Sequence, residues 1–277
     1  VTGTEIVGLL PKRALIDAGR HYLHMQQRST GIAESEIVKI AVKSMGLDDL
    51  KPFKPEEKVI EYMLADGKGG RLTAMTCRAF AEETASESPA PGGGSVSAYM
   101  GALGAALSTM VANLSAHKPG WDDRWEHFSD VADKGHDLLV RLLHLVDEDT
   151  EAFNRIMAAI SMPKSTDEER AARAEALEAA TLYATEVPLE TMKVSSEVFA
   201  LSEQMAAEGN PNSVSDAGVG ALAARAAVLG AGLNVRINAA SLADRSRAEA
   251  LVAEAAALEA AADEAERRIL QIVNSKI

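Results

Sequence analysis

One acidic residue stands out because it interrupts a hydrophobic pattern. Over residues 122–161 apolar residues recur at alternating spacings of three and four, which predicts a long amphipathic helix. Asp149 falls on the apolar seam of that helix, whereas its acidic neighbours Asp147, Glu148 and Glu151 fall off it. Burial raises the pKa of an aspartate above its reference value of about 3.9, which suits it to general acid–base chemistry near neutral pH. The pattern also fits a core Asp paired with an arginine or capping a neighbouring helix.

A glycine-rich turn supplies a second group of candidates. The turn reads PGGGS and precedes an uncharged stretch that runs to about residue 117. A helix that begins here presents unpaired N–H groups and a partial positive charge, which suits an anion or a carbonyl-rich ring. The candidate binding residues are Pro91, Gly92, Gly93, Gly94 and Ser95. The glycines alternatively make only a tight turn, with Ser95 as a helix cap.

Other polar candidates follow or belong to later helices. One precedes a predicted capping box, three occupy the turn-rich segment 209–216, and two lie one turn apart on the helix that follows. They are Lys164, Asn212, Ser215, Asp216, Asn234 and Asn238. Each could instead be solvated, cap a helix or bond between helices.

The elements that must position these residues are predicted to be helices. Apolar residues make up 47% of the chain and aromatic residues only 4%, so small aliphatic side chains must fill the core. Helices are predicted at 11–27, 34–44, 55–62, 73–85, 95–117, 122–161, 166–205 and 217–242, with a last one whose heptad seam runs over 251–272. The nearly uncharged segments 88–117 and 217–242 should be central. We expect an all-α multihelical array with buried central helices.

Composition restricts the partners and the compartment. The formal net charge is −13 and there is no long Lys/Arg run, which argues against a nucleic-acid partner. The uncharged stretch is long enough to span a bilayer, but its Ala and Gly content favours a soluble protein without a membrane partner. A single cysteine and the lack of a signal peptide indicate the cytoplasm. No zinc-ligand spacing, Walker loop or GxGxxG motif is present, so no metal or nucleotide cofactor is expected.

Several motifs together carry a family resemblance. SPAPGGGSVSAYMGALGAALSTMV, DEDTEAF, MPKSTDEER, GNPNSVSDAGV and GLNVRIN occur in this order. The chain from about residue 72 resembles the formiminotetrahydrofolate cyclodeaminase and methenyltetrahydrofolate cyclohydrolase family. TGTEIVGLLPKRALIDAG and FKPEEKVIEYML resemble the tail of a glutamate formiminotransferase domain. We therefore predict a short, mainly helical transferase remnant and linker at 1–65 and a cyclodeaminase domain at 66–277, with a boundary in the glycine-rich segment 65–71. The opening VTGTEIVGLL suggests a piece of a longer, bifunctional polypeptide.

The resemblance implies an ammonia lyase of histidine degradation and one-carbon metabolism. It would convert 5-formiminotetrahydrofolate to 5,10-methenyltetrahydrofolate and ammonia, with folate as substrate and no permanently bound cofactor. Asp149 matches the family's catalytic aspartate, and the other candidates would surround the pterin or the folate tail. The alternatives are a methenyltetrahydrofolate cyclohydrolase on the same scaffold and a non-catalytic folate-binding or assembly module. The resemblance also implies a homodimer or a higher homo-oligomer, with the active site near the interface.

Overall fold

The computed structural model describes residues 4–64 and 72–277. Within these ranges the chain forms ten α-helices: α1 Lys12–Met25, α2 Glu34–Ser44, α3 Pro55–Lys58, α4 Ile60–Leu64, α5 Cys77–Thr84, α6 Gly93–Ala116, α7 Trp125–Ile160, α8 Asp167–Glu208, α9 Val214–Ala239 and α10 Arg245–Asn274. The described residues contain no strand, only one isolated bridge between Leu10 and Val59. The predicted all-α class is confirmed. The linker predicted at 65–71 lies outside the described residues, and the domain boundary there stays a prediction.

Two compact units make up the chain. The first comprises Val1–Gly69 and Ala112–His136, and the second comprises Gly70–Val111 and Asp137–Ile277. In the first unit α1 packs on α2 around a small apolar core that contains Leu15. The second unit contains α8, α9 and α10 packed on one another, together with α5 and most of α6 and α7.

The prediction of a single helix over 55–62 is wrong. The segment forms two short helices separated by Val59, which is extended at φ −92° and ψ 122°. The cause is pairing with the N-terminal segment, since Leu10 N–H donates to Lys58 O and Ile60 N–H donates to Leu10 O, each at 3.0 Å. A tertiary contact of this kind overrides a local helical pattern.

Two other local predictions agree with the structure, and the predicted bounds of α5 do not. Helix α2 has the predicted bounds, and Gly46 follows it in the left-handed conformation at φ +64°. Thr166 and Glu169 form the predicted capping box at the start of α8. Helix α5 is shorter than predicted and begins after the cap residue Thr76.

Helices α6 and α9 pack closely because small residues meet along their contact. A Cβ added to Gly104 would lie 2.8 Å from Gly220 O, and one added to Gly101 would lie 3.3 Å from Ala227 Cβ. The order of these contacts makes the two helices antiparallel, which brings the start of α6 beside the end of α9. A cavity there would be walled by both helices.

The outer sides of α6 and α9 are exposed, whereas both helices are predicted to be largely buried. Their small residues face inward, while several large apolar residues are exposed, namely Leu103, Met110, Val219, Leu222, Leu233 and Ile237. By length and composition alone, α6 and the segment 211–239 are apolar enough to cross a membrane, but 61% and 50% of their most apolar windows are buried. Partial burial of this kind is also typical of core helices in soluble proteins.

The close α6–α9 contact predicts different outcomes for two Gly→Ala substitutions. Gly104→Ala should lower the free energy of unfolding by about 1–3 kcal/mol, because the new methyl group meets backbone that cannot move independently. Gly218→Ala on α9 is the control, since its Cβ would meet side chains rather than backbone, the Val273 methyl groups at 3.3 and 3.4 Å and Leu270 Cδ2 at 3.7 Å. Urea unfolding measures both variants. Equal stability of the two would contradict the packing described here.

Candidate active site

The carboxylate of Asp149, on α7, lies at the first turn of α6. Its Oδ2 accepts hydrogen bonds from the backbone N–H and from the Oγ–H of Ser95, both at 2.8 Å. Gly94 permits this approach, because a Cβ at that position would overlap Asp149 Oδ1. The PGGGS turn therefore binds a carboxylate of its own chain, and Ser95 serves Asp149 rather than only capping its helix.

Two opposing effects set the pKa of Asp149. Burial raises the pKa, because the charged form loses solvation, and the two hydrogen bonds from Ser95 lower it. Burial prevails, so the pKa of Asp149 lies above its ordinary value. Oδ1 accepts no hydrogen bond from the described part of the chain, which leaves one carboxylate oxygen available for proton transfer.

A cavity of about 180 Å³ opens beside this carboxylate. Six of the predicted site residues line it: Gly92, Gly93, Gly94, Asp149, Asn234 and Asn238. Pro91 is buried next to them after a cis peptide bond. The sequence-derived candidates from the turn, from α7 and from the end of α9 are thus brought together.

The two asparagines face the cavity, and each already uses one of its two amide N–H donors. Asn234 Nδ2 donates to Gly230 O at 3.1 Å, and Asn238 Nδ2 donates to Ala184 O at 2.6 Å. Each amide carbonyl oxygen is left to accept a hydrogen bond. Together with Asp149, the cavity therefore offers acceptors to a ligand that carries N–H groups or positive charge.

Four predicted site residues do not reach this cavity in the same chain. Lys164 is exposed in the loop between α7 and α8. Asn212, Ser215 and Asp216 lie at the start of α9, whereas Asn234 is near its end. Asp216 and Asn234 are separated by eighteen residues, or about 27 Å along the helix axis. One chain cannot bring both groups to a single ligand of the size of one ring system.

Some site residues were missed from the sequence. Thr150, Phe153 and Ile156 also line the cavity. Phe153 and Ile156 are apolar seam positions four and seven residues after Asp149, but the sequence pattern indicated only that they pack. Nothing in the sequence pointed to Thr150.

Asp147 has an unexpected structural role. Its carboxylate accepts hydrogen bonds from Leu72 N–H and Thr73 Oγ–H, both at 2.7 Å. The sequence pattern placed Asp147 only on the outer face of α7. Asp147 therefore anchors the start of the second unit and is a poor control for substitutions of Asp149.

Groups of metal-ligating side chains are not found in the described ranges. Residues 4–64 and 72–277 contain no cluster of three or more His, Cys, Asp or Glu side chains that could hold a metal ion. Independence from metals and other cofactors stays a prediction.

Comparison with known proteins shows the family to which the chain belongs. Residues 76–257 match the sequence model described as formiminotransferase-cyclodeaminase, and residues 1–65 match that of the formiminotransferase domain. The chain belongs to the formiminotransferase-cyclodeaminase family. The formimidoyltransferase-cyclodeaminase of Rattus norvegicus is 36% identical over 245 residues, covering 88% of this chain and 45% of the rat protein. The chain thus spans about half the length of such two-activity relatives.

Two shorter relatives match over nearly their whole length. The methenyltetrahydrofolate cyclohydrolase of Methylorubrum extorquens is 42% identical over 202 residues, covering 73% of this chain and 97% of that protein. The crystal structure of formiminotetrahydrofolate cyclodeaminase from Thermotoga maritima superposes with a TM-score of 0.64 at 27% identity, covering 73% of this chain and 97% of that one. The family's fold is therefore the fold of this chain's larger part.

The hydrogen bonds from Ser95 to Asp149 predict that a substitution of Ser95 changes the pKa of Asp149. Ser95→Ala should raise the pKa of Asp149 further, because it removes a hydrogen bond that favours the ionised carboxylate. Carboxyl ¹³C chemical shifts followed against pH measure this pKa, with Asp149→Asn identifying the signal. Ser97→Ala is the control, since Ser97 Oγ–H donates to Gly93 O at 2.7 Å and not to Asp149. An unchanged or lowered pKa in Ser95→Ala would contradict the geometry.

Proposed function

We propose that this chain is a formiminotetrahydrofolate cyclodeaminase, an ammonia lyase that converts 5-formiminotetrahydrofolate to 5,10-methenyltetrahydrofolate and ammonia. The observation that carries the proposal is the carboxylate of Asp149, which has a raised pKa and one free oxygen in an acceptor-lined cavity. Family membership supplies the substrate class, and the geometry supports the chemistry.

The proposed reaction needs one proton to move between two nitrogens. N10 of the folate attacks the carbon of the protonated formimino group, and Asp149 Oδ1 accepts the N10 proton. The same oxygen then donates that proton to the amino group of the intermediate. The carbon–nitrogen bond breaks, ammonia leaves, and the methenyl cation remains. One carboxylate serves as base and acid in turn, which requires a pKa closer to neutrality than that of an ordinary Asp.

The cavity supports a definite orientation of the pterin. The carbonyl oxygens of Asn234 and Asn238 would accept hydrogen bonds from ring N–H groups. Backbone N–H groups at the start of α6 would donate to the ring oxygen. Phe153 and Ile156 supply an apolar wall for the ring.

A methenyltetrahydrofolate cyclohydrolase is the second candidate. It is favoured by the 42% identity to the Methylorubrum extorquens enzyme, which exceeds the identity to the rat protein. The cyclodeaminase is preferred because residues 1–65 match a formiminotransferase domain, the kind of domain that would deliver a formimino group. Asp149 beside a free cavity argues against a non-catalytic folate-binding module.

Two assays on the purified chain separate the candidates. With 5-formiminotetrahydrofolate, a cyclodeaminase should release ammonia as methenyl absorbance rises. With 5,10-methenyltetrahydrofolate, a cyclohydrolase should remove that absorbance faster than the buffer alone. Loss of methenyl absorbance without ammonia release from the formimino substrate would favour the second candidate. Inactivity in both assays, with folate still bound, would favour the binding module.

We also infer that the chain forms a homodimer or a higher homo-oligomer. The large apolar residues exposed on α6 and α9 support this inference, since they need cover in water. Sedimentation at micromolar concentration should give a species larger than the 29.3 kDa chain. A monomer alone would contradict it.

Substitution of Asp149 tests the proton shuttle. Asp149→Asn keeps the volume and can still accept the hydrogen bonds from Ser95, so the variant should fold and bind folate. Its cyclodeaminase rate should fall by about 100- to 10,000-fold, the usual contribution of a general acid–base group.

The control is Glu151→Gln, two residues further along α7, where an exposed carboxylate pairs with Arg155 at 3.5 Å. It should keep the parental rate. Retention of more than about a tenth of the rate by Asp149→Asn, short of the usual contribution, would place the shuttle elsewhere.

A further inference from the structure

A buried hydroxyl group without a partner lies in the wall of the Asp149 cavity. It belongs to Thr150, the residue after Asp149 on α7, and its Oγ1 is enclosed by the protein. This oxygen forms no hydrogen bond with any residue in the described ranges. An unpaired buried hydroxyl lowers stability, so its presence in a folded protein requires an explanation. A ligand that fills the cavity would supply the missing partner.

Other threonines of the second unit show that this unpaired state is unusual. Threonines inside helices commonly donate to the carbonyl oxygen four residues earlier. Four buried threonines do so at 2.8 to 3.3 Å, namely Thr109, Thr181, Thr185 and Thr191. Thr150 forms no such bond to Val146 O, so its hydroxyl is available to a ligand.

A second unpaired buried hydroxyl has a different environment. It belongs to Ser195, and a Cβ added to Gly101 would lie 2.5 Å from its Oγ. Ser195 therefore lies between closely packed helices, where there is no room for a ligand. Thr150 differs because its hydroxyl is part of a cavity wall.

Thr150 lies at one edge of the wall that α7 provides. Phe153 and Ile156 fall within about 40° of Asp149 around the helix axis, because each residue advances the helix by about 100°. Thr150 falls about 100° away from Asp149. In the proposed orientation the ring packs on Phe153 and Ile156. The Thr150 hydroxyl is then left to a small group that projects from the edge of the ring.

A second cavity adjoins the first at this edge. Ala90 and Thr150 line both cavities. The second cavity has a volume of about 470 Å³, and four carboxylates line it, those of Glu83, Asp147, Glu148 and Glu151. Their negative charge favours a cation such as ammonium. The Thr150 edge is therefore the side of the site that suits a nitrogen leaving as ammonia, which becomes ammonium in water.

We propose that Thr150 Oγ1 binds the nitrogen that leaves as ammonia. This inference rests on the proposed function, since it concerns the formimino group of that substrate. In the intermediate formed by attack of N10, the nitrogen carries two N–H groups and one lone pair. Thr150 Oγ1 accepts a hydrogen bond from one N–H, which turns the lone pair toward the proton on Asp149 Oδ1.

This hydrogen bond strengthens as the nitrogen becomes charged. Asp149 Oδ1 transfers its proton to the lone pair, and the amino group becomes an ammonium group. The carbon–nitrogen bond then breaks, its electron pair stays with the nitrogen, and ammonia leaves while N5 and N10 stabilise the methenyl cation. A hydrogen bond from a charged donor is stronger than one from a neutral donor. Thr150 therefore stabilises the state from which the bond breaks.

Thr150→Val tests this inference, because valine keeps the shape of threonine and removes only the hydroxyl. With 5-formiminotetrahydrofolate, kcat/KM should fall by about 10- to 100-fold, the usual value of a hydrogen bond to a charged group. The affinity for 5,10-methenyltetrahydrofolate, measured by absorbance titration, should not change, since this product lacks the nitrogen. The urea midpoint should stay equal or rise, because the variant no longer buries an unpaired hydroxyl.

Three further variants accompany this test. Thr150→Ser keeps the hydroxyl and should keep most of the parental kcat/KM. Thr109→Val removes a buried hydroxyl on α6 that already donates to Ala105 O at 2.8 Å, so the rate should stay parental. If Thr150→Val does not fold, Thr150→Ala removes the same hydroxyl. It must then show the same lower rate with unchanged product affinity.

Three results would overturn the inference. A parental rate in Thr150→Val would mean that the leaving nitrogen does not contact Thr150. Equal losses of rate and of product affinity would place Thr150 against the folate ring. A lower rate together with a lower urea midpoint, without recovery in Thr150→Ser, would leave Thr150 with a structural role alone.

The parental chain separates this inference from the proposed function. If it releases no ammonia from 5-formiminotetrahydrofolate, the proposed function fails and the inference about Thr150 fails with it. If the parental chain is active and Thr150→Val is equally active, the proposed function stands and the inference about Thr150 alone is wrong.

Discussion

The approach of the Asp149 carboxylate to the first turn of α6 is the contact on which the site depends. Oδ2 occupies the position where the helix presents its free N–H, and Oδ1 occupies space that only a glycine leaves open. Because Asp149 and the PGGGS turn belong to different helices, their contact fixes α7 against α6. The cavity exists because these two elements meet at that point and α9 ends beside them.

Small residues make the surrounding packing possible. With so few aromatic residues, the second unit fills its interior with Ala, Gly, Ser and Val, and serines bond between helices, as Ser108 Oγ and Ser202 Oγ do at 2.8 Å. Close backbone approach along α6 and α9 brings Asn234 within reach of Gly93. The same division of residues, small inside and large outside, leaves large apolar residues of α6 and α9 exposed. The features that build the cavity and those that suit a second copy thus arise from one sequence pattern.

The sequence was informative where the signal was local. Asp149 was identified because a carboxylate interrupted a seam, and the glycine turn because its composition is unusual. The break at Val59 and the role of Ser95 depend on contacts with residues distant in the chain, Leu10 and Asp149, which periodicity does not contain. Asp216 and Asn234 were grouped from the sequence although they lie about 27 Å apart along the axis of one helix, a separation that shared helix membership does not reveal. The exposed apolar residues of α6 and α9 were missed because an uncharged helix was taken to be a largely buried one.

In the proposed reaction Asp149 must both accept and donate one proton, and its environment balances these two requirements. Burial alone favours the protonated carboxyl, which cannot accept the N10 proton. Hydrogen bonds from Ser95 and the start of α6 favour the ionised carboxylate and make it a weaker base for that proton. Their opposition leaves the pKa raised but moderated, and transfer in both directions is most efficient when neither form is strongly favoured. Because the moderating bonds all reach Oδ2, they tune the carboxyl without occupying Oδ1, the oxygen that faces the substrate in the proposed reaction.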